Sequence, residues 1–349
     1  MPAIELQGVT NFILDNVNLK IMDKELLVLL GPTGAGKTTI LNTIAGLIPY
    51  QGSILIDGQP VEGVPTHKRR IGYFFQNPAL FPHLDVFSNI AYSLKIKKFP
   101  AEELKKKMRE LLQLMQIEHL AHRYPKDLSG GEKHRVALAR VLASSPRILL
   151  LDEPLVSTDM RFSKYFQMEL RRLQKQLEIT TLYVTHDFIE AEEMGDRIAL
   201  VYGGRIEQVG TYQEVFFSPK NKNVSRFVGE QNIFSCDYSK PLGNGLVEVG
   251  IRGLAIVVHH QEGKVSKIAI PSGHIGVYND SPRSKINNFK GKLIEMRPLD
   301  TFLQLKVKIG EVVFLVEMQK SVGEEMGLNV GKEIFIVLKL PWIKVLNGG

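Results

Sequence analysis

Two short stretches carry residues whose types and spacing could do chemistry. Residues 31–38 read Gly-Pro-Thr-Gly-Ala-Gly-Lys-Thr, which satisfies G-x-x-x-x-G-K-[ST] in full. Gly31, Gly34 and Gly36 let the backbone curl so that successive N–H groups point inward, a cradle for phosphate oxygens. A helix opening near Lys37 adds its positive N-terminal end. Lys37 is then placed to reach β- and γ-phosphates, and the Thr38 hydroxyl to bind Mg²⁺. The nucleotide-binding set read from this stretch is Gly31, Pro32, Thr33, Gly34, Ala35, Gly36, Lys37, Thr38 and Thr39. The second stretch is Ile148-Leu149-Leu150-Leu151-Asp152-Glu153-Pro154. An apolar strand delivers Asp152 to its C-terminal end, where ligands bind in open α/β sheets. Asp152 can hold Mg²⁺ through water, and Glu153, pointing elsewhere, can polarise an attacking water.

These residues need a scaffold, and the first 229 residues have the texture of one. Short β-rich runs alternate with helical patterns, the habit of a parallel α/β core. Leu26–Leu30 reads as a buried strand entering the glycine loop, and 38–47 as the helix leaving it. Further strands are expected at 53–56, 71–75, 147–151 and 181–185, and helices at 101–115 and 132–143. Gly203-Gly204 between two apolar runs signals a hairpin. After about Phe234 helical patterns nearly vanish. Leu303, Leu305, Val307 and Ile309 alternate with polar residues, the mark of a half-buried antiparallel strand. A small all-β, barrel-like domain is expected over 235–349.

Composition narrows the class. The chain has 349 residues, 44% hydrophobic and 23% charged, enough for two globular domains. No stretch of about 18 uncharged apolar residues offers a membrane span. The first six residues lack the basic, apolar character of a signal peptide. Cys236 is the only cysteine, so no intrachain disulfide forms, which fits a reducing compartment. The net charge of +7 is dispersed among acids, so no nucleic-acid partner is expected, and a face apposed to anionic lipid is the better use for it.

Residues 128–132 read Leu-Ser-Gly-Gly-Glu and lie between the two stretches described above. With that order of motifs, the chain resembles the ABC ATPase family, whose signature is LSGGQ. Glu132 stands at the glutamine position. The resemblance covers about residues 4–229. It implies that Ser129, Gly130 and Gly131 meet the γ-phosphate of ATP held by a second copy, so two nucleotides are sandwiched in a head-to-tail homodimer. It implies that Gln76 touches Mg²⁺ and that His186 contacts the γ-phosphate. Phe12 is the candidate for stacking on adenine. The catalytic set is therefore Glu153, His186, Lys37 and Gln76; the metal set is Thr38, Gln76 and Asp152. Val156-Ser157-Thr158-Asp159 departs from the family's S-A-L-D and keeps only Asp159.

The insert at 77–145 resembles the helical subdomain of import ATPases. Phe81-Pro82-His83-Leu84 would lie near a groove for the integral membrane permease, or serve simply as core. The implied setting is peripheral, on the cytoplasmic face of the membrane, with an extracytoplasmic solute-binding protein acting indirectly. Residues 281–346 resemble the molybdate-binding β-domain (TOBE/MOP type), an OB-like barrel. Ser284, Asn287, Lys320 and Ser321 are its candidate oxyanion residues, with Ile286 where that family has arginine. The alternative for the barrel is that it serves only to pair subunits. The resemblance points to a molybdate or tungstate importer. The alternatives are an importer of sulfate, ferric iron, phosphonate or a sugar, a soluble non-transport ABC ATPase, or a molybdate-binding regulator with a vestigial ATPase.

Overall fold

The computed structural model describes residues 2–346 apart from 78, 156–159, 230, 261–262, 283–285 and 300–301. Val156, Ser157, Thr158, Asp159 and Ser284 therefore lie outside the described residues. The chain divides into two compact units, Met1–Val224 and Ser225–Gly349.

The first unit is built on a six-stranded sheet in the order Arg205–Gly210, Arg197–Tyr202, Leu26–Leu30, Thr180–Thr185, Ile148–Asp152, Ile71–Phe74. Its pairs are parallel except at the Arg205–Gly210 edge, which turns back through Gly203 and Gly204, both at positive φ. The three central strands are buried at every position, as a sheet covered on both faces requires. Continuous apolar runs at 26–30 and 148–151 follow from that double covering. A four-stranded antiparallel sheet lies across one face, in the order Val17–Met22, Pro2–Thr10, Gln51–Ile56, Gln59–Pro60. Its first strand alternates cleanly, with Val17, Leu19 and Ile21 buried.

The helix Lys37–Ala45 is clamped into the core between these sheets. Ile40, Leu41 and Ile44 have no exposed surface. Burying each such side chain stabilises by about 1.5–3 kcal/mol, which fixes the helix and the loop before it. The helical insert consists of Val86–Ile96, Ala101–Leu114 and Gly130–Ala143, which pack on one another.

The second unit is all-β apart from short helical turns. Its largest sheet is curled and antiparallel, in the order Ile275–Tyr278, Glu333–Leu338, Asn288–Pro298, Phe302–Ile309, Val312–Gln319. This is the OB-like class expected. Leu303, Leu305 and Val307 face inward against Phe314 and Val316, and Gly310 at φ 56° makes the turn between their strands. A six-residue helix, Lys320–Glu325, interrupts the β texture where no helix was expected.

Candidate functional site

Strand Leu26–Leu30 ends at Gly31, whose φ of 156° brings the backbone against the neighbouring strand. A Cβ there would sit 2.1 Å from the Val201 carbonyl oxygen, so no side chain fits. Gly34 and Gly36 take φ of 80° and 103°, and Gly36 is the N-cap of the helix Lys37–Ala45. Lys37 is buried, and its Nζ donates to the Gly31 and Pro32 carbonyls at 2.8 and 2.9 Å. Burial lowers the ammonium's pKa, while Glu153 and Asp152 oppose that shift. The cation is held inside the loop by its own backbone, directed at the space the glycines enclose.

The acid side of the site comes from the strand Ile148–Asp152. Thr38 Oγ1 donates to Asp152 Oδ1 at 2.9 Å. Tyr73 sits on the adjacent strand, and its hydroxyl lies 3.4 Å from Asp152 Oδ2 and 3.0 Å from Asn42 Oδ1. Burial, reinforced by Glu153, raises the Asp152 pKa; its hydrogen bonds to Thr38 and Tyr73 and the Lys37 charge pull the other way. Burial, and secondarily Asp152, pushes the Tyr73 phenol well above its ordinary range, so it is a proton donor. A threonine hydroxyl beside an aspartate carboxylate is a hard oxygen set, which fits Mg²⁺ sharing its shell with phosphate oxygens and water.

Glu153 occupies the left-handed region, φ 43°, unusual for a residue with a side chain. Its N–H donates to the Val184 carbonyl at 3.1 Å, which holds the chain in that turn. The turn separates Glu153 from Asp152 and brings Glu153 Oε1 to 3.3 Å from His186 Nδ1. A cavity of 280 Å³ gathers Thr33, Gly34, Gly36, Lys37, Thr38, Thr39, Gln76, Glu153 and His186, with Ile13 as its apolar wall. Gln76 and His186, far apart in sequence, thus join the phosphate loop. Chemically, this is an anion cradle with a hard-metal donor pair and an acid aimed into the same space.

A family model described as ABC transporter matches residues 14–156. The molybdate/tungstate import ATP-binding protein WtpC of Pyrococcus abyssi is 38% identical over 336 residues, 96% of each chain. The chain belongs to the ABC transporter family. It is an import-type ATP-binding subunit and an ATP hydrolase. The spermidine/putrescine import ATP-binding protein PotA of Vibrio cholerae is 40% identical over 99% of this chain and 95% of its own. Among solved structures, cbiO1 of Clostridium perfringens, part of the transporter complex cbiONQ, superposes with a TM-score of 0.59 at 30% identity. It covers 65% of this chain and 94% of its own. A cassette solved as a dimer in a post-hydrolysis state with ADP and Pi gives a TM-score of 0.54 at 32% identity, over 60% of this chain and 98% of that one.

The remaining candidate residues of this ATPase fall elsewhere. Ser129 is the N-cap of the helix Gly130–Ala143 in a full capping box: its Oγ accepts the Glu132 N–H, and Glu132 Oε2 accepts the Ser129 N–H at 2.7 Å. That reciprocal bond is the physical consequence of glutamate at the fifth signature position, and the Ser129 N–H, first among its causes, holds the Glu132 pKa down. Ser129, Gly130 and Gly131 do not line the phosphate cavity. Phe12 is 76% exposed and lines a neighbouring concavity with Tyr50 and Pro49; Ile13 is the residue that reaches the phosphate side.

Asn287, one of the expected oxyanion residues, has a structural partner. It is buried, and its amide both donates to the Val257 carbonyl at 2.7 Å and accepts the Val257 N–H at 2.8 Å. One amide hydrogen and one oxygen lone pair thus tie 287 to the strand Leu254–His259. Lys320 and Ser321 open the helix Lys320–Glu325 and are exposed. In the helical insert, the sequence reading missed Asn89. Fully buried, it accepts the Phe81 N–H and donates toward the carbonyls of Phe81, Leu84 and Asp85. Phe81 is also covered by Tyr92 and by the Arg140 guanidinium. The segment 81–85 is therefore tied to the helix Val86–Ile96 through Asn89. Among the described residues no helix is long and apolar enough to cross a membrane.

Proposed function

We propose that this ATPase energises a molybdate or tungstate importer, as a head-to-tail homodimer on the cytoplasmic face of the membrane beneath integral permease subunits. The observation that carries the dimer is the separation of two amide-rich cradles. One is the loop 31–38, lined with Lys37 and facing Glu153 and His186. The other, at Ser129–Gly131, has Ser129 and Gly130 exposed and Gly131 half-buried, and takes no part in that cavity. A second copy turned by two-fold symmetry would bring its Ser129 and Gly131 to the open side of the triphosphate.

In that arrangement Lys37 and the loop amides hold the β- and γ-phosphates, and Thr38, Asp152 and Gln76 face the metal. Bound Mg²⁺ would neutralise charge on the transferring phosphoryl group. Glu153 orients and polarises the attacking water, and His186, 3.3 Å from it, contacts the γ-phosphate and fixes the carboxylate's direction. Phe12 supplies a face for adenine. Nucleotide-driven closure would bring the two 81–85 loops together beneath the permease, moving it between inward- and outward-facing states. An extracytoplasmic solute-binding protein delivers the cargo.

The cargo reading draws on the Pyrococcus relative, similar along nearly its whole length, including the C-terminal region that resembles a molybdate-binding domain. A regulatory oxyanion would meet Lys320, Ser321 and Ser284. A second reading, polyamine import, is favoured by the equally extensive similarity of the Vibrio protein. Uptake by the intact transporter in vesicles separates them. Tungstate uptake dependent on ATP, abolished by Glu153→Gln, is the expected result. Spermidine uptake without tungstate uptake would replace the first reading with the second.

A further inference from the structure

We propose that Tyr73 is a positioning residue for the Asp152 carboxylate, and that Asn42 directs its hydroxyl proton. The inference rests on the reading of Asp152 as a metal-facing acid. The strand Ile71–Phe74 runs parallel to Ile148–Asp152, with Tyr73 beside Leu150. The Tyr73 ring packs against the core and stacks on Phe75 at 4.1 Å, so its hydroxyl has little freedom. That hydroxyl lies between Asn42 Oδ1 at 3.0 Å and Asp152 Oδ2 at 3.4 Å. A phenol has one proton to donate. A half-turn of the Asn42 amide presents its N–H₂ to the phenolic oxygen and leaves that proton for Asp152. Thr38 already holds Oδ1, so Tyr73 on Oδ2 fixes the plane of the carboxylate from both sides. Asn42 belongs to the helix that opens at Lys37, and Gln76 lies three residues beyond Tyr73. The chain Asn42–Tyr73–Asp152 therefore ties three parts of the site to one geometry. Partners behind a metal-facing ligand tune metal affinity because they orient the ligand and set its basicity.

The test uses full-length protein with a fixed concentration of a non-hydrolysable ATP analogue. The readout is the Mg²⁺ concentration that gives half of the metal-dependent rise in Tm, with ATP turnover against Mg²⁺ measured alongside. Tyr73→Phe keeps the stacked ring and removes only the hydroxyl. It is expected to raise the half-point about three- to tenfold, less than the roughly ten- to hundredfold typical of such partners because the bond is long. Asn42→Ala should raise it less, and the double variant no more than Tyr73→Phe, because Asn42 acts through Tyr73. A merely structural role would lower the metal-free Tm and leave the half-point unmoved. If Asp152→Asn raises the half-point and Tyr73→Phe does not, the positioning role is overturned while the metal-facing acid stands. If Asp152→Asn itself leaves the half-point unchanged, the underlying reading falls and this inference falls with it. Asn42→Ala decides the matter should Tyr73→Phe fail to fold.

Discussion

Replacing Asn89 by alanine is a demanding test of how the loop 81–85 is held. The side chain has no exposed surface. Its Oδ1 accepts one bond, from the Phe81 N–H at 2.8 Å; its Nδ2 has two hydrogens to divide among the carbonyls of Phe81, Leu84 and Asp85, at 3.1, 2.9 and 3.1 Å. At most three good bonds exist at once. With about 1 kcal/mol net for each, and a further penalty for buried backbone groups left unpaired, the local cost is about 2–4 kcal/mol. The lone tryptophan, Trp342, lies in the other unit, so intrinsic fluorescence would report the wrong region. Amide hydrogen exchange reads the loop directly. At 1.4 kcal/mol per factor of ten, exchange at Phe81 and its neighbours should accelerate roughly thirty- to several-hundredfold. Asn89→Asp sharpens the logic. It keeps the acceptor but sets a charge among carbonyl oxygens, which raises the new carboxyl's pKa in the folded state. Its penalty should therefore be full at neutral pH and shrink as pH falls and the group protonates. Exchange within about threefold of the parent in Asn89→Ala would refute this account.

Gly31→Ala should disorder the phosphate loop, since its Cβ would meet the Val201 carbonyl oxygen at 2.1 Å; loss of nucleotide binding, measured by equilibrium dialysis with labelled ATP, is expected, and unchanged binding would contradict the geometry. Glu132→Gln keeps an acceptor for the Ser129 N–H and removes the charge. The Glu132 pKa is lowered on folding, so its stabilisation is present above the ordinary carboxylate value of 4.5 and fades as pH falls below it. The variant should lose at most about 0.5 kcal/mol at pH 7 and show a flatter acid limb in thermal unfolding. Burial, then Asp237, pushes the Cys236 thiol up to about 11. Alkylation by iodoacetamide should be slow at pH 8 and climb steeply toward pH 11; a plateau below pH 9 would show the thiol is not so placed.

The chemistry of the site was legible where it is local in sequence. The loop 31–38 and the acids 152–153 are consecutive residues on a strand end or helix start, and a β-strand or helix has a direction that a motif reveals. Gly130 begins its helix two residues before the expected Glu132 because Ser129 and Glu132 form a capping box. The S-x-x-E spacing held that signal. Tyr73 and Asn42 were not legible, since nothing in tyrosine or asparagine announces a partner 79 or 31 positions away. Asn89 was hidden for a different reason: its partners are backbone groups, which carry no sequence signature. Asn287 shows the converse. Its spacing matches a ligand pattern, and the amide also ties to a strand whose approach no local pattern encodes. The fold's alternation was readable in both units because burial on one or two faces dictates the period directly.

Size-exclusion chromatography of Glu153→Gln with Mg-ATP tests the central claim most directly. The account predicts a dimer that retains two ATP molecules shielded from exchange. It also predicts that adding Ser129→Arg, outside each chain's own phosphate cavity, leaves ATP binding intact and abolishes pairing. A protein that stays monomeric with ATP bound, or a Ser129→Arg variant that pairs as well as its parent, would contradict it.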